Sequence, residues 1–582
     1  LSNLFCCKQK YLMILLLLAL FISGCSQEVY QPEPRPATER IEEMLGQMTL
    51  EEKIGQMFLV GFEEVDGEAA TRVNKQAKQL IEKYHIGGMI LFSRNVKDVE
   101  QVAQLNNELQ KLSRSSNNGL PLFIAVDQEG GKVNRIYKGV TVFPGNMALG
   151  ATRNPELAYK QGKQMGEELR AIGINLNLAP VLDVNNNPQN PIIGVRSFAE
   201  DPKLTAELSS SMLRGFRDGH VLTAVKHFPG HGDTSVDSHI DLPQIPHSKS
   251  RLDQIELVPF RQAIQTGTDF IMSTHITFPA IEPTPGLPGT LSKKILTDLL
   301  RKELGYQGVI ITDDMEMGAI ADHFGTEQAT VKAIQAGADV VLIGHTLSKQ
   351  IKAIQAVEQA VKQGTITEER INESVRRILE LKLERLGDQS IYTRPFANEQ
   401  MMKEVGRPEA QELANRIAEE AVTPLLGSQV WKPLSTSKES RLLVLTMKKP
   451  SSLKQSLQKE GFQPTVVQIQ DLNPLQLAEI VQQAQTGPYD AVIVGTNAIQ
   501  SDSAQVKLIT QLSQLSKPLV IVGFDTPYER KFLPEQCNYL AVYGSTNASL
   551  QAVAKALSGK LSFQGQLPVT VSKTYPFGTG SK

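Results

Sequence analysis

The sequence predicts an α/β protein: a (β/α)8 barrel of the TIM type followed by a second α/β domain with a layered sheet. The first observation is a recurrence of short apolar runs, at 57–61, 86–92, 121–126, 174–184, 222–225, 269–273, 308–311 and 338–343. The second is that amphipathic stretches of helical period lie between them, for example 99–112, 155–172, 202–217, 257–265, 294–304 and 328–335. Eight strand–helix units over roughly 300 residues match a barrel in number and span. An open doubly wound sheet is the alternative, and the count of eight favours the barrel. The third observation is that the alternation lapses around 387–395 and resumes with its own strands near 441–446, 465–469, 491–495, 519–523 and 539–543.

Within this frame, 40–57 has a helical pattern, and Thr49-Leu50-Glu51-Glu52 is a capping box. Two further helices, 346–364 and 367–386, close the first domain. The second domain has no GxGxxG, so nothing argues for a dinucleotide; it holds Trp431, the only Trp of the chain.

A chain of 582 residues implies more than one domain. Its 41% hydrophobic and 21% charged residues are those of ordinary globular protein. A net charge of −2, with acidic and basic residues mixed along the chain, gives no reason to expect a nucleic-acid partner. Cys6, Cys7 and Cys25 lie near the start and only Cys537 lies beyond, so the body has no disulfide, no Cys-based metal site and no Cys–His nucleophile pair in the barrel.

The N-terminus reads as a targeting segment. Lys8 and Lys10 precede an apolar run at 11–22, too short to span a bilayer comfortably and right for a signal-peptide core. The run ends in Ile22-Ser23-Gly24-Cys25, which resembles the lipobox of bacterial lipoproteins. That resemblance implies cleavage before Cys25, lipidation of its thiol and an extracytoplasmic, membrane-anchored protein. A plain signal peptide or short anchor is the alternative. The expected organisation is therefore a signal segment at 1–24, a Pro-rich tether at 25–37, the barrel at 38–387, a linker at 388–400 and the second domain at 401–582.

In a barrel, residues that follow the strands share one face. Here they are Asp127-Gln128-Glu129-Gly130-Gly131 and Arg135; Asp183-Val184-Asn185 and Arg196; Lys226-His227 and the loop to His239; His275; Asp313-Asp314 and Glu316; and His345. A loop cap or surface charge is the bland reading of any one of them, but not of the set. The loop after strand five, KHFPGHGDTSVDSH at 226–239, is the densest. Pro229, Gly230 and Gly232 forbid a regular continuation. One reading is a metal site of His227, His231 and His239 with Asp233 or Asp237. The other is acid/base catalysis by His239, with Asp237 two residues away on the same side orienting the imidazole and raising its pKa. His231 reads as a brace of the loop.

The 226–239 block closely resembles the signature of β-N-acetylglucosaminidases of glycoside hydrolase family 3. AVDQEGGKVNRI at 125–136, APVLDVNNNP at 179–188, GVRSFAEDP at 194–202 and GVIITDDMEMGAI at 308–320 resemble its other blocks, in order, and MTLEEKIGQM at 48–57 looks like its N-terminal helix. The likeness is dense over 40–385 and thin beyond, chiefly GKLSFQGQLPVT at 559–570. It implies Asp313 as nucleophile, with Asp314 a rival that strand alternation should turn away. It implies His239 as acid/base and Asp237 as its partner. Asp127, Arg135, Arg196, Lys226 and His227 would bind the sugar. Lys132 is the one departure, where Arg is more usual.

The expected activity is removal of terminal N-acetylglucosamine from peptidoglycan fragments with retention, by a monomer needing no metal or organic cofactor. In many β-glucosidases of the family the C-terminal domain supplies the acid/base; here the second domain is expected to shape the cleft or to be structural. A metal-dependent hydrolase using the same histidines, a non-catalytic lipid-anchored sugar-binding protein, and phosphorolysis in place of hydrolysis are the alternatives.

Overall fold

The computed structural model describes residues 37–238, 240–386, 403–426, 431–434, 440–447, 450–469 and 472–580. The signal segment, Cys25, the linker at 388–400 and His239 lie outside the described residues. The tether, expected through 37, ends by the start of helix Ala37–Gln47.

Each of the eight apolar runs supplies a strand: β1 (Phe58–Val60), β2 (Gly88–Leu91), β3 (Phe123–Val126), β4 (Leu176–Asn177), β5 (Leu222–Phe228), β6 (Phe270–Ser273), β7 (Val309–Ile311) and β8 (Val341–Ile343). All pair in parallel and in chain order, and β1 pairs with both β2 and β8. A single bridge, Ile311 to Val340, links β7 to β8 and nearly closes the ring. A doubly wound sheet would leave β1 and β8 unpaired with each other. Every strand residue is buried, as a parallel sheet wrapped by helices requires.

The helices of the outer ring start where the sequence offers caps. Asp98, Asn154 and Asp201 each accept a hydrogen bond from the first turn of helices Val99–Ser116, Pro155–Ala171 and Pro202–Asp218. The last two have Pro in the first turn, where a missing N–H costs nothing. The pattern read as one helix over 40–57 is two, Ala37–Gln47 and Leu50–Gln56. Thr49 and Glu52 form the capping box, so the chain restarts a helix there. The apolar period runs through both and hides the break.

Strands β4 and β5 differ from their expected extents in opposite directions. Only two residues of 174–184 pair as strand, and the chain then leaves the ladder toward Pro180, which has no N–H to donate. Strand β5 continues past Val225 through Lys226, His227 and Phe228. Its register with β6 shifts between Val225 and Phe228, and Val181 bridges to Lys226.

The second domain has a six-stranded sheet. Its strands are β9 (Thr423–Leu425), β10 (Arg441–Thr446), β11 (Gln463–Gln468), β12 (Ala491–Thr496), β13 (Leu519–Gly523) and β14 (Asn538–Ala541), in the order β11-β10-β12-β13-β14-β9. Five are parallel; β9 is an antiparallel edge. Sequence reading misses β9 because it is three residues long with Pro424 in its centre, a composition tolerated only at an edge.

The two domains share packing. Helix Pro408–Ala421 lies against Asn547–Leu557 of its own domain and against barrel helices Asn146–Thr152 and Pro155–Ala171. Met147, Ala148, Ala151 and Val195 of the barrel join Leu425, Leu567 and Val569 in one apolar cluster. The 559–570 stretch, the one piece of the second domain with a family likeness, is a strap onto the barrel. Gln566 N donates to Ala151 O (3.0 Å), Glu200 N to Pro568 O (3.0 Å), and Thr570 Oγ1 to Glu200 Oε1 (2.6 Å). Asn185 Nδ2, beyond β4, donates to Tyr528 OH (2.8 Å). The second domain thus sits beside the mouth of the barrel on the β4 side.

Candidate active site

Strand ends β3, β4 and β5 deliver an alternating row of charges. Arg135 Nη2 donates to Asp127 Oδ2 (3.3 Å), Lys226 Nζ to Asp127 Oδ1 (2.8 Å), and Lys226 Nζ lies 2.8 Å from Glu129 Oε1. Arg196 grips the same Glu129 with two bonds, Nε to Oε2 (2.9 Å) and Nη2 to Oε1 (2.8 Å). Glu129 and Lys226 are each 3% exposed. Burial works against the charges of Glu129, Arg196 and Lys226, and their neighbours decide the result. Burial raises the Glu129 carboxyl, but Arg196 and Lys226 hold it far below the usual range. Burial lowers Lys226 and Arg196, and Asp127 with Glu129 for the first, and Glu129 for the second, more than restore them. Glu129, Lys226 and Arg196 are therefore held in their charged forms. Its donors and acceptors are those that grip vicinal hydroxyls.

Asp183 anchors the beginning of the histidine loop. It is fully buried and accepts from His227 N (3.2 Å) and His231 N (2.6 Å), and its Oδ2 lies 2.7 Å from His227 Nδ1. A carboxylate there fixes a proton on Nδ1 of His227. Burial raises Asp183, and the His227 and His231 contacts outweigh it and keep its carboxyl below the ordinary value. His231 is the brace that the sequence suggests. Its Nε2 lies 2.8 Å from Ser238 Oγ and its Nδ1 3.3 Å from Thr234 Oγ1, and burial pushes its pKa down to about 4. Both of its nitrogens are thus committed to hydroxyls. Asp233 is committed to His247 (2.6 Å) and Arg251 (3.9 Å). The metal reading needs those same atoms as ligands.

Asp313 and Asp314 follow β7. Strand alternation should send them opposite ways, but β7 ends at Ile311, and both carboxylates reach one cavity of about 670 Å3. Their hydrogen bonds tell them apart. Asp314 Oδ1 accepts from Glu316 N (3.0 Å) and Gly344 N (3.1 Å), and its Oδ2 faces His345 Nε2 at 3.4 Å. It ties the β7 and β8 loops together. Asp313 Oδ1 accepts from Asp314 N (2.8 Å), its only hydrogen bond among the described residues. Burial raises the Asp313 pKa, while His227, His275, the Asp314 N–H and Lys226 more than offset it and hold the carboxylate ionised. His275, fully buried, donates from Nε2 to Asp314 O (3.0 Å) and so props the loop from below.

The cavity gathers Asp127, Arg135, Arg196, Lys226, His227 and Asp313, so the structure brings six of the residues named from the sequence into one hollow. His231 and Ser238 of the β5 loop line it as well. Lys226 and His227 are neighbours in a strand, yet both face the cavity, because the ladder slips at that point. Asp237 is half-buried, and its carbonyl accepts from Ile240 N and Asp241 N (3.0 Å each). Its pairing with His239 lies outside the described residues. Glu129, Asp183 and His275 were visible at strand ends without a role, and Asp314 only as a rival nucleophile. Glu129 follows Asp127 by two residues, the spacing that puts both on one side, and this was the available signal.

Residues 49–381 match the model of the glycosyl hydrolase family 3 N-terminal domain. The chain is 32% identical to β-hexosaminidase A of Pseudoalteromonas piscicida, over 90% of this chain and 97% of that one. It is 37% identical to a β-hexosaminidase of Alkalilimnicola ehrlichii, over 48% of this chain and 79% of that one. Among solved structures, a family 3 β-N-acetylglucosaminidase from Paenibacillus sp. str. FPU-7 superposes with a TM-score of 0.83 at 38% identity, covering 90% of this chain and 99% of that one.

Proposed function

The chain belongs to glycosyl hydrolase family 3 and is a glycoside hydrolase of the β-N-acetylglucosaminidase kind; from that premise we propose that it removes terminal N-acetylglucosamine from peptidoglycan fragments with retention, through a covalent bond to Asp313. The observation that carries the reading is the shared hollow. An ionised carboxylate with one hydrogen bond among the described residues lines the same cavity as a buried row of sugar-gripping charges and the wall of the histidine loop.

In the proposed cycle, Asp127, Arg135 and Lys226 hold the hydroxyls of the terminal sugar. His239, oriented by Asp237, gives a proton to the glycosidic oxygen while an Asp313 oxygen bonds to the anomeric carbon and the aglycone leaves. Water then attacks that carbon, His239 takes its proton and Asp313 is released. Asp183 and His231 set the base of the loop from which His239 acts, and Asp314 with His275 set the nucleophile. The physical support for Asp313 over Asp314 is that Asp314 is already spent on bracing. The apolar 11–22 segment and Cys25 support a lipid anchor on the outer side of a membrane.

Proton NMR of the first-formed sugar from an aryl N-acetyl-β-glucosaminide tests the reading: β-anomer first, and no turnover by Asp313→Ala with its fold intact. An α-anomer first, or full activity of Asp313→Ala, would end it. Activity lost to EDTA and restored by zinc would favour the metal reading instead.

A further inference from the structure

A second cavity, of about 550 Å3, lies between the domains. Its barrel wall is the β4 loop at 188–194 with Lys132; its other wall is made by the loops after β12 and β13 of the second domain. Lys132, Pro191 and Ile192 line both this cavity and the catalytic one, so the two adjoin through a common wall. That wall also holds the histidine loop: Asn190 Nδ2 donates to His231 O (2.8 Å) and Gly232 O (3.0 Å). A leaving group departs beside the acid that protonates it. The cleft abutting the acid's loop is therefore where the portion of substrate beyond the scissile bond would run.

The chemistry of the cleft is polar and carries two ammonium groups. Gln189, Asn190, Asn497 and Gln500 supply amides. Lys132, the one departure from the family motif, is half-exposed and steered by Asp525 Oδ2 at 3.7 Å, which also accepts from Asn497 Nδ2 (3.4 Å). Lys531 is exposed, stands over the Phe532 ring at 5.0 Å, and has no carboxylate partner among the described residues. We infer that this interdomain cleft is the aglycone subsite and that it takes an aglycone bearing a carboxylate, recognised by Lys531 and Lys132. The inference rests on the proposed glycosidase reading and supplies what that reading lacks, a role for the second domain in substrate choice.

The test compares kcat/KM on four substrates: an aryl N-acetyl-β-glucosaminide, neutral chitobiose, the N-acetylglucosaminyl-N-acetylmuramic acid disaccharide, and the same disaccharide carrying a short peptide. In Lys531→Gln, turnover of the carboxylated substrates should fall about fivefold, the worth of one exposed charge-assisted contact. It should fall further in Lys531→Glu and shrink in high salt. The aryl glycoside and chitobiose should stay within twofold of wild type. Loss on both carboxylated disaccharides assigns the contact to the lactyl carboxylate; loss on the peptide-bearing one alone assigns it to the peptide. No change on either, or parallel loss on all four, overturns the inference while leaving the glycosidase intact. Wild-type protein that cleaves none of the four removes both.

Discussion

Glu129→Gln removes one charge from the row and nothing from its shape. Glu129 accepts three hydrogen bonds from cations, two from Arg196 and one from Lys226. If Gln turns its oxygen to the side that Lys226 and Arg196 Nη2 share, its amide nitrogen meets Arg196 Nε, donor against donor. Losing the Nε bond outright costs about 1.5–3 kcal/mol, and the other two weaken because a charged donor now meets a neutral acceptor, so the total is about 3 kcal/mol. That agrees with the roughly 3–5 kcal/mol for breaking a buried ion pair. Lys226 keeps Asp127, whereas Arg196 has no second carboxylate within reach among the described residues. Both cations line the cavity, so the lost order should appear in the reaction as well as in stability. We expect kcat/KM on an aryl N-acetyl-β-glucosaminide to fall about 100-fold, the equivalent of about 3 kcal/mol. Affinity for a competitive sugar inhibitor should weaken, and the midpoint of urea unfolding should drop, with the folded far-UV spectrum retained. A kcat/KM within threefold of wild type and an unmoved midpoint would refute the row as the sugar's grip.

Asp183, Asp314 and, in the second domain, Glu529 give three further expected outcomes. Asp183→Asn should cost activity about 100-fold or more while leaving the cavity shape, because an amide nitrogen opposite His227 Nδ1 turns the ring to the other tautomer; nitrogen-15 NMR of the imidazole reads the change, and an unchanged tautomer would contradict it. Asp314→Asn should lose less activity than Asp313→Asn, since one brace is loosened and no bond-forming oxygen is removed; the opposite order in single-turnover rates would exchange their roles. Glu529→Gln should raise stability at pH 8 and leave it unchanged near pH 4. Burial lifts Glu529 from an ordinary 4.5 to about 7, so its contribution is complete below 4.5 and fades as pH climbs through 7. The gain at pH 8 is at most about 3 kcal/mol. Gln fits because its nitrogen can face the Thr496 and Tyr539 hydroxyls while its oxygen takes the Ile499 N–H. Calorimetry at the two pH values checks the sign.

The barrel was legible because its signal is a repeated one: eight strands buried on both faces must be apolar throughout, and they recur at regular intervals between helical stretches. Breaks inside a continuous pattern were not. Thr49 splits a helix without interrupting its apolar period, and β9 is three residues with a central proline. At the site, single residue types at strand ends announced the hollow, since ionisable groups after buried strands have few structural uses. What escaped were relations made by the fold alone. Asp183 meets His227 and His231 only because β4 and β5 are neighbours, and Glu129 meets Arg196 only through a long loop. The order of Asp313 and Asp314 could not be settled by alternation, because the strand stops two residues before them.

The proposed reaction turns on a bond between a sugar and one carboxylate. A 5-fluoro N-acetylglucosaminyl fluoride slows formation and breakdown of a glycosyl-enzyme and, with a fast leaving group, lets it accumulate. Peptide mapping by mass spectrometry of the trapped protein should find the added fluorosugar on the peptide containing Asp313, with fragmentation placing it on that residue. A label on Asp314 or on any other side chain, or rapid turnover with inverted product and no label, would contradict the account.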